Sequence, residues 1–472
     1  MLAADSSLTI YNDNFAVVRG TVPLELREGV TDVRFNDTTA HLEPSSVILR
    51  DPAGKVALQV LEQNYRADPV TQSLMLSLFE GQTIDFRTEE DHKSVVIQGK
   101  IIRSGYDRAS SSNDADANQP IIEVGGKLRF ELPGTPLFPK LADDTILKPE
   151  LNWKISSPQA AKLEAEIAYV TGEVSWNADY NVVAPESGNP LQIVGWVTIK
   201  NESGKKFENV RTKLVAGDVK KIKDKLPVTV YGARAAAMEV SADAVTEKSF
   251  DEYHLYMLPR PVTLRDQETK QIEFARAEGV QSARLFIFDA QGHESVRPMF
   301  GAEPILAPDY ETGANKKVAV ILEFKNSEGN KLGLPLPKGR WRFYRRDSDQ
   351  QLEFTGENEI DHTAKDETLR VFTGNAFDLV GERKRTNFAV NNPKRTAEES
   401  SEIKLRNHKK EAVEIRVVEH LSRWSSWEIT AKSDAFTKKD AQTIEFLVPL
   451  KADEERAVTY TVRYVNLPSP PL

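Results

Sequence analysis

A period of two constrains this chain more than any other feature. In VSWNADYNVV (174–183), Val174, Trp176, Ala178, Tyr180 and Val182 fall on one face, and Ser175, Asn177, Asp179 and Asn181 fall on the other. Successive strand side chains point to opposite faces of a sheet, so the segment reads as a half-buried β-strand. A catalytic reading of the Trp–Asp–Tyr grouping is the alternative. The strand reading places Trp176 and Tyr180 in a core, with Asp179 pointing away and its loss changing stability little. The same alternation returns in EAVEIRVVEH through Val413, Ile415 and Val417, and in AVTYTVRYV through Val458, Tyr460, Val462 and Tyr464. These runs are filled by β-branched and aromatic residues, which suit a pleated surface.

Helical signals are few. TQSLMLSLFE (71–80) reads as a short helix before Gly81, while GARAAAMEVSADA (232–244) has helical propensity but no apolar stripe. Val124-Gly125-Gly126-Lys127 reads as a hairpin turn. Many short strands with turn signals between them predict an all-β protein of several β-sandwiches, immunoglobulin-like, with a small barrel-like unit. At 472 residues the chain holds more than one domain. Expected units are an N-terminal β-domain (1–75), a small β-unit (76–140), a large central sandwich (141–385) and a C-terminal sandwich (386–472). Within the small unit, ASSSNDADANQP (109–120) has no large apolar side chain and reads as a mobile, dispensable loop. A faint echo runs through Asn201, Asn326 and Asn407, each set between a strand and a polar turn. Too weak to name a repeat, it fits hairpin chemistry shared by three turns.

Composition narrows function mainly by exclusion. With no cysteine, disulfides, thiolate metal sites and a Cys nucleophile are out. A net charge of −9 argues against nucleic acid as partner. The longest apolar runs, such as VAVIL (318–322), fall far short of a membrane span. The start MLAADSSLTIY lacks the charged and apolar regions of a signal peptide. Leu2-Ala3-Ala4-Asp5 reads instead as the remainder of cleavage beside small residues, with a Met added.

Several blocks carry a family resemblance. WNADYNVV, GWVTIKNESGKKFENVRTKLVAGDV, YHLYMLPRPVTLRDQETKQIEF, LPLPKGRWRFY, FTGNAFDLVGERKR and LRNHKKEAVEIRVVEHL occur in one order. Together they resemble the uncharacterised C-terminal domain of mucoidy-inhibitor-A-like bacterial proteins. LTIYNDNFAVVRGTVPLELREGV and LEPSSVILRD are similar to that family's N-terminal domain. The resemblance implies an all-β, exported bacterial protein and supplies no catalytic residues. One departure stands out. Many relatives carry a long coiled coil between the two domains, whereas GQTIDF, VVIQGKIIRS and IIEVGGKLRFELPG alternate as strands here.

No chemical motif rises clearly above the background. The seven histidines (41, 92, 254, 293, 362, 408, 420) show no zinc-ligand spacing, although His408 and His420 flank one strand. Asp114, Asp116 and Asn118 open like a calcium loop, but Gln119 stands where a Gly belongs and Gly125 where a bidentate Glu belongs. KKIKDK (220–225) and RKR (383–385) read as solvated faces. A carboxylate pair among 71 acidic residues is not marked by any pattern. Trp424 and Trp427, with Arg423 beside them, are the candidate interaction residues, since aromatic faces on a loop can stack on a sugar or anchor a protein. The plainer role for one of the tryptophans is to cap a core. No catalytic residue, metal or cofactor is expected. The sequence thus points to a non-enzymatic β-protein of the bacterial envelope or exterior, periplasmic or extracellular, acting through surface interactions in a structural, assembly or adhesion role. A protein or glycan is its partner, and self-association is open. The alternative is a carbohydrate-binding or carbohydrate-processing protein, which would show an open cleft.

Overall fold

A computed structural model describes residues 6–67, 69–90, 92–106, 119–142, 145–217, 221, 246–250, 253–290 and 315–467. The expected mobile loop (all but residues 119 and 120), the calcium-like run 114–118 and the segment 232–244 lie outside the described residues. Those described form a nearly all-β molecule of five sheets, sandwich-like, with no closed barrel. No described helix is long and apolar enough to cross a membrane.

The expected strand Val174–Ala184 is the middle of a five-stranded sheet. Leu191–Asn201 flanks it antiparallel and Gly339–Arg346 flanks it parallel. Trp176 and Tyr180 are buried, as the alternation requires. The Trp176 indole donates from Nε1 to the Val215 carbonyl at 3.2 Å, and the Tyr180 hydroxyl donates to Pro337 O at 2.8 Å. Tyr180 stacks on Trp341 at 4.4 Å between centroids and meets Phe274 edge-on at 5.7 Å. Val215 lies on Phe207–Ala216, a strand of a second, eight-stranded sheet. One hydrophobic core therefore joins the two sheets, together with a three-stranded sheet centred on Glu150–Ser157.

Sheet membership cuts across the expected domain limits. Ser7–Tyr11, inside the 1–75 block, pairs in parallel with Phe207–Ala216. Ala161–Gly172 runs antiparallel to Phe15–Leu26 over twelve paired residues. The expected break at 385 falls inside one long strand, Thr368–Asn391. RKR (383–385) is not the expected solvated face, because Arg383 and Arg385 turn inward to buried acids, and the turn comes at 392–395.

The small unit keeps its own core, built by Met75, Leu76, Phe79, Ile84, Phe86, Ile101 and Ile122. Helix Gln72–Leu78 forms where expected, with the Thr71 hydroxyl accepting from Leu74 N at 3.1 Å. Gly125 and Gly126 both take positive φ, +57° and +77°, as a tight two-residue hairpin demands. The sheet is open rather than barrel-like: Thr135–Leu137 and Lys127–Arg129 are its two edges. The whole unit is an excursion between Gln59–Arg66 and Glu150–Ser157, which pair with each other, Glu150 directly opposite Arg66. That geometry yields a first prediction. Replacing residues 67–149 with Asn-Gly should close a plain hairpin and leave a cooperatively folded remainder, as followed by circular dichroism on heating. Non-cooperative melting would show that the unit is integral to the main core.

The three asparagines of the faint echo do the same structural job. Each is buried at a strand end. Asn201 Nδ2 donates to the carbonyls of Lys205 and Arg265 at 2.9 Å each, Asn326 Nδ2 to Leu334 and Ala364 at 2.7 and 2.9 Å, and Asn407 Nδ2 to Glu411 and Lys451 at 2.9 and 2.8 Å. Each side chain thus closes its own turn and ties it to a second loop. The amide supplies the donors that buried loop carbonyls require.

A nine-stranded sheet holds the C-terminal part, running from Trp427–Lys432 at one edge to Phe436–Lys438 at the other. It folds over on itself. Phe446 and Tyr460, from strands far apart in the sheet order, meet at 5.8 Å within a separate core.

Candidate functional site

The polar face of Val174–Ala184 opens into a cleft of about 520 Å³. Its near wall is the Asn12–Asp13 turn, which joins Ser7–Tyr11 to Phe15–Leu26. Asn12 Nδ2 donates to the Trp176 carbonyl at 3.3 Å, pinning this turn onto the central strand. The far wall is Lys338, Gly339 and Arg340, where the parallel neighbour begins, with Glu359 and His362 behind. Gly339 allows this contact. A Cβ there would lie 2.1 Å from the Ala178 carbonyl oxygen, so any other residue would push the strands apart.

Asp179 lies at the floor and departs from expectation. It is only 9% exposed, and its carboxylate accepts from Asn177 Nδ2 at 2.9 Å, Thr198 Oγ1 at 2.7 Å and Arg342 Nη1 at 3.3 Å. The residue is on the polar face, as the alternation requires, but neighbouring long side chains cover that face. Removing it leaves Arg342 with only its 3.5 Å contact to Glu357 and strands two neutral donors. Asp179→Ala is therefore expected to cost about 1–3 kcal/mol by urea denaturation rather than little. A change within about 0.5 kcal/mol would show that solvent already satisfies those donors.

The rim mixes signs. Lys338 Nζ lies 3.4 Å from Glu359 Oε1, and the Lys338 backbone N–H donates to His362 Nδ1 at 3.1 Å. That bond makes Nδ1 an acceptor, so a neutral ring carries its proton on Nε2. Arg340 is exposed, and its side chain makes no hydrogen bond or ion pair among the described residues. Such a surface offers fixed donors and acceptors to a hydrophilic ligand. Among the described residues, no three His, Asp or Glu side chains gather as metal ligands.

The aromatic candidates lie elsewhere, on the nine-stranded sheet. Arg423 is 2% exposed at its side chain and donates from Nε to Glu399 Oε2 at 3.1 Å, with its guanidinium 4.4 Å from the Phe388 ring centre. Trp424 and Trp427 are half-buried against the C-terminal core. Trp427 donates to the Ala441 carbonyl at 2.9 Å, and Lys438 lies over its ring. The three have separate partners, and Arg423 is committed to an internal network. In that network Arg383 donates to Glu419 at 2.8 Å, Arg385 to Glu399 at 2.9 Å and the Tyr460 hydroxyl to Glu419 at 2.5 Å. Burial pushes the Tyr460 phenol well above its ordinary range, and the Glu419 charge adds to this. Burial opposes the Arg383 charge, but Glu419 and Tyr460 more than offset it, so its pKa is raised. His420 meets Asp289 Oδ2 at 3.2 Å and Thr443 Oγ1 at 3.4 Å.

A family model described as Domain of unknown function (DUF4139) matches residues 165–468. The chain belongs to this family. No curated protein matches it. The DUF4139 segment begins inside Ala161–Gly172 and takes in the central and nine-stranded sheets, yet two of its strands pair with Ser7–Tyr11 and Phe15–Leu26, which precede it. The cleft straddles that limit: Asn12 and Asp13 come from outside the DUF4139 segment, and the remaining walls from within. Asn12, Asp13, Lys338, Arg340, Glu359 and His362 carry no motif in sequence. Nothing in the sequence near Asn12-Asp13 indicates what that turn faces.

Proposed function

We propose that the chain is an exported bacterial protein of the mucoidy-inhibitor-A-like group that acts without catalysis, through surface interaction, and that the cleft over Val174–Ala184 is where it meets its partner. The observation that carries this reading is the fixed state of Asp179. A carboxylate held by two neutral donors and an arginine is a rigid acceptor that shapes a surface. The envelope location rests on the family resemblance alone.

The cleft favours a glycan over a flat protein face. It is concave, about 520 Å³, and its rim supplies acids, bases and amides together, which suits a hydroxyl-rich ligand. The test is calorimetric titration with soluble oligosaccharides prepared from the bacterial envelope, using the full chain and the double variant Arg340→Ala, Glu359→Ala. Saturable binding that weakens about tenfold or more in the variant supports the reading. Absence of binding, together with concentration-dependent self-association in sedimentation, would make the chain an assembly protein instead.

A further inference from the structure

A second cavity, of about 260 Å³, lies between the central sheet and the nine-stranded sheet, away from the cleft. Two arginines line it, Arg284 and Arg345, and no acidic residue does. The lining is therefore formally positive in a chain of net charge −9. Arg345 is committed in part, donating from Nε at 3.2 Å and from Nη2 to the Glu186 carbonyl. The side chain of Arg284, an exposed residue, makes no hydrogen bond or ion pair among the described residues. Its guanidinium lies 5.6 Å from the Phe286 ring centre, which holds it in place without neutralising it. The remaining walls include Ala184, Leu322 and Tyr344, each partly exposed, and the hydroxyl-bearing Ser282.

We propose that this cavity binds a small organic anion, a carboxylate carrying a short apolar tail, with Arg284 as the principal anchor. A planar guanidinium with unused donors matches a carboxylate in a two-point hydrogen bond. A second positive charge beside it raises the gain from an incoming anion and disfavours a neutral ligand. Burial lowers the Arg284 pKa most, the Arg345 charge lowers it further, and the Glu411 charge opposes them only in part, so an anion beside the guanidinium would favour its charged form. The apolar wall accounts for the tail. The volume is below the roughly 300–1,000 Å³ of drug-sized pockets, which limits the ligand to a small acid.

The test is calorimetric titration of the full chain with 3-phenylpropanoate, its neutral amide, acetate and inorganic phosphate. The expected result is saturable binding of 3-phenylpropanoate, with the amide and the two tail-free anions weaker by about tenfold or more. Arg284→Gln should lose a similar factor without moving the melting temperature of the unliganded protein, and Arg284→Lys should retain part of the affinity. Equal binding of acid and amide, phosphate or acetate binding as tightly as the tailed acid, or unchanged affinity in Arg284→Gln would each overturn the proposal, as would no saturable heat.

Discussion

Trp176→Ala is expected to destabilise the protein by about 3–5 kcal/mol in urea denaturation, the range for large aromatic truncations in a core. Trp176 sits in the middle strand of the central sheet, packs against Tyr256 of the eight-stranded sheet at 6.3 Å and donates across to Val215. Its loss removes a buried ring, opens a cavity and deprives a carbonyl of its indole donor at once. Trp176→Phe keeps most of the ring and gives up the N–H, so it should cost less. If the alanine variant loses under about 1 kcal/mol, the two sheets do not share the core described above.

Glu419→Ala should be comparably costly, about 3–5 kcal/mol, for an electrostatic reason. Glu419 is 2% exposed at its side chain and holds both the Arg383 guanidinium and the Tyr460 hydroxyl. Without it a buried arginine keeps only its longer contacts to Glu399 and Tyr460, 3.5 and 3.3 Å. A buried charge stripped of its partner costs more than the pair contributes to folding. Replacing both partners, Arg383→Met with Glu419→Leu, should therefore recover part of the loss. Additive losses in the double variant would mean that the two residues act independently.

Local structure was legible in the sequence because its signals are local. Alternation placed Trp176 and Tyr180 inside, the run 71–80 before Gly81 placed the helix observed at Gln72–Leu78, and two adjacent glycines placed a hairpin. The asparagine echo was visible as turn chemistry, but that each amide reaches a second loop was not, since Arg265 or Ala364 lies far along the chain from its asparagine. The same limit explains the misplaced boundaries. Parallel pairing of Ser7–Tyr11 with Phe207–Ala216 depends on which apolar faces meet in three dimensions, and neither segment carries a mark of the other. Charge misled where it was buried. Arg383, Arg385 and Arg423 read as surface residues because arginine usually is one, and only their acids, Glu399 and Glu419 on neighbouring strands, overturn that reading. Asp179 was assigned the right face and the wrong surroundings, since Arg342 and Thr198 come from separate strands.

The cleft is composed of parts no local signal connects, and its role as the partner-binding surface is the central claim. Hydrogen–deuterium exchange with and without soluble oligosaccharides from the bacterial envelope tests it most directly. The account predicts added protection in backbone amides of residues 12–13, 177–179, 338–340 and 359–362, with the nine-stranded sheet unchanged. Protection confined to the Trp424–Trp427 region, with the cleft unaffected, would contradict it.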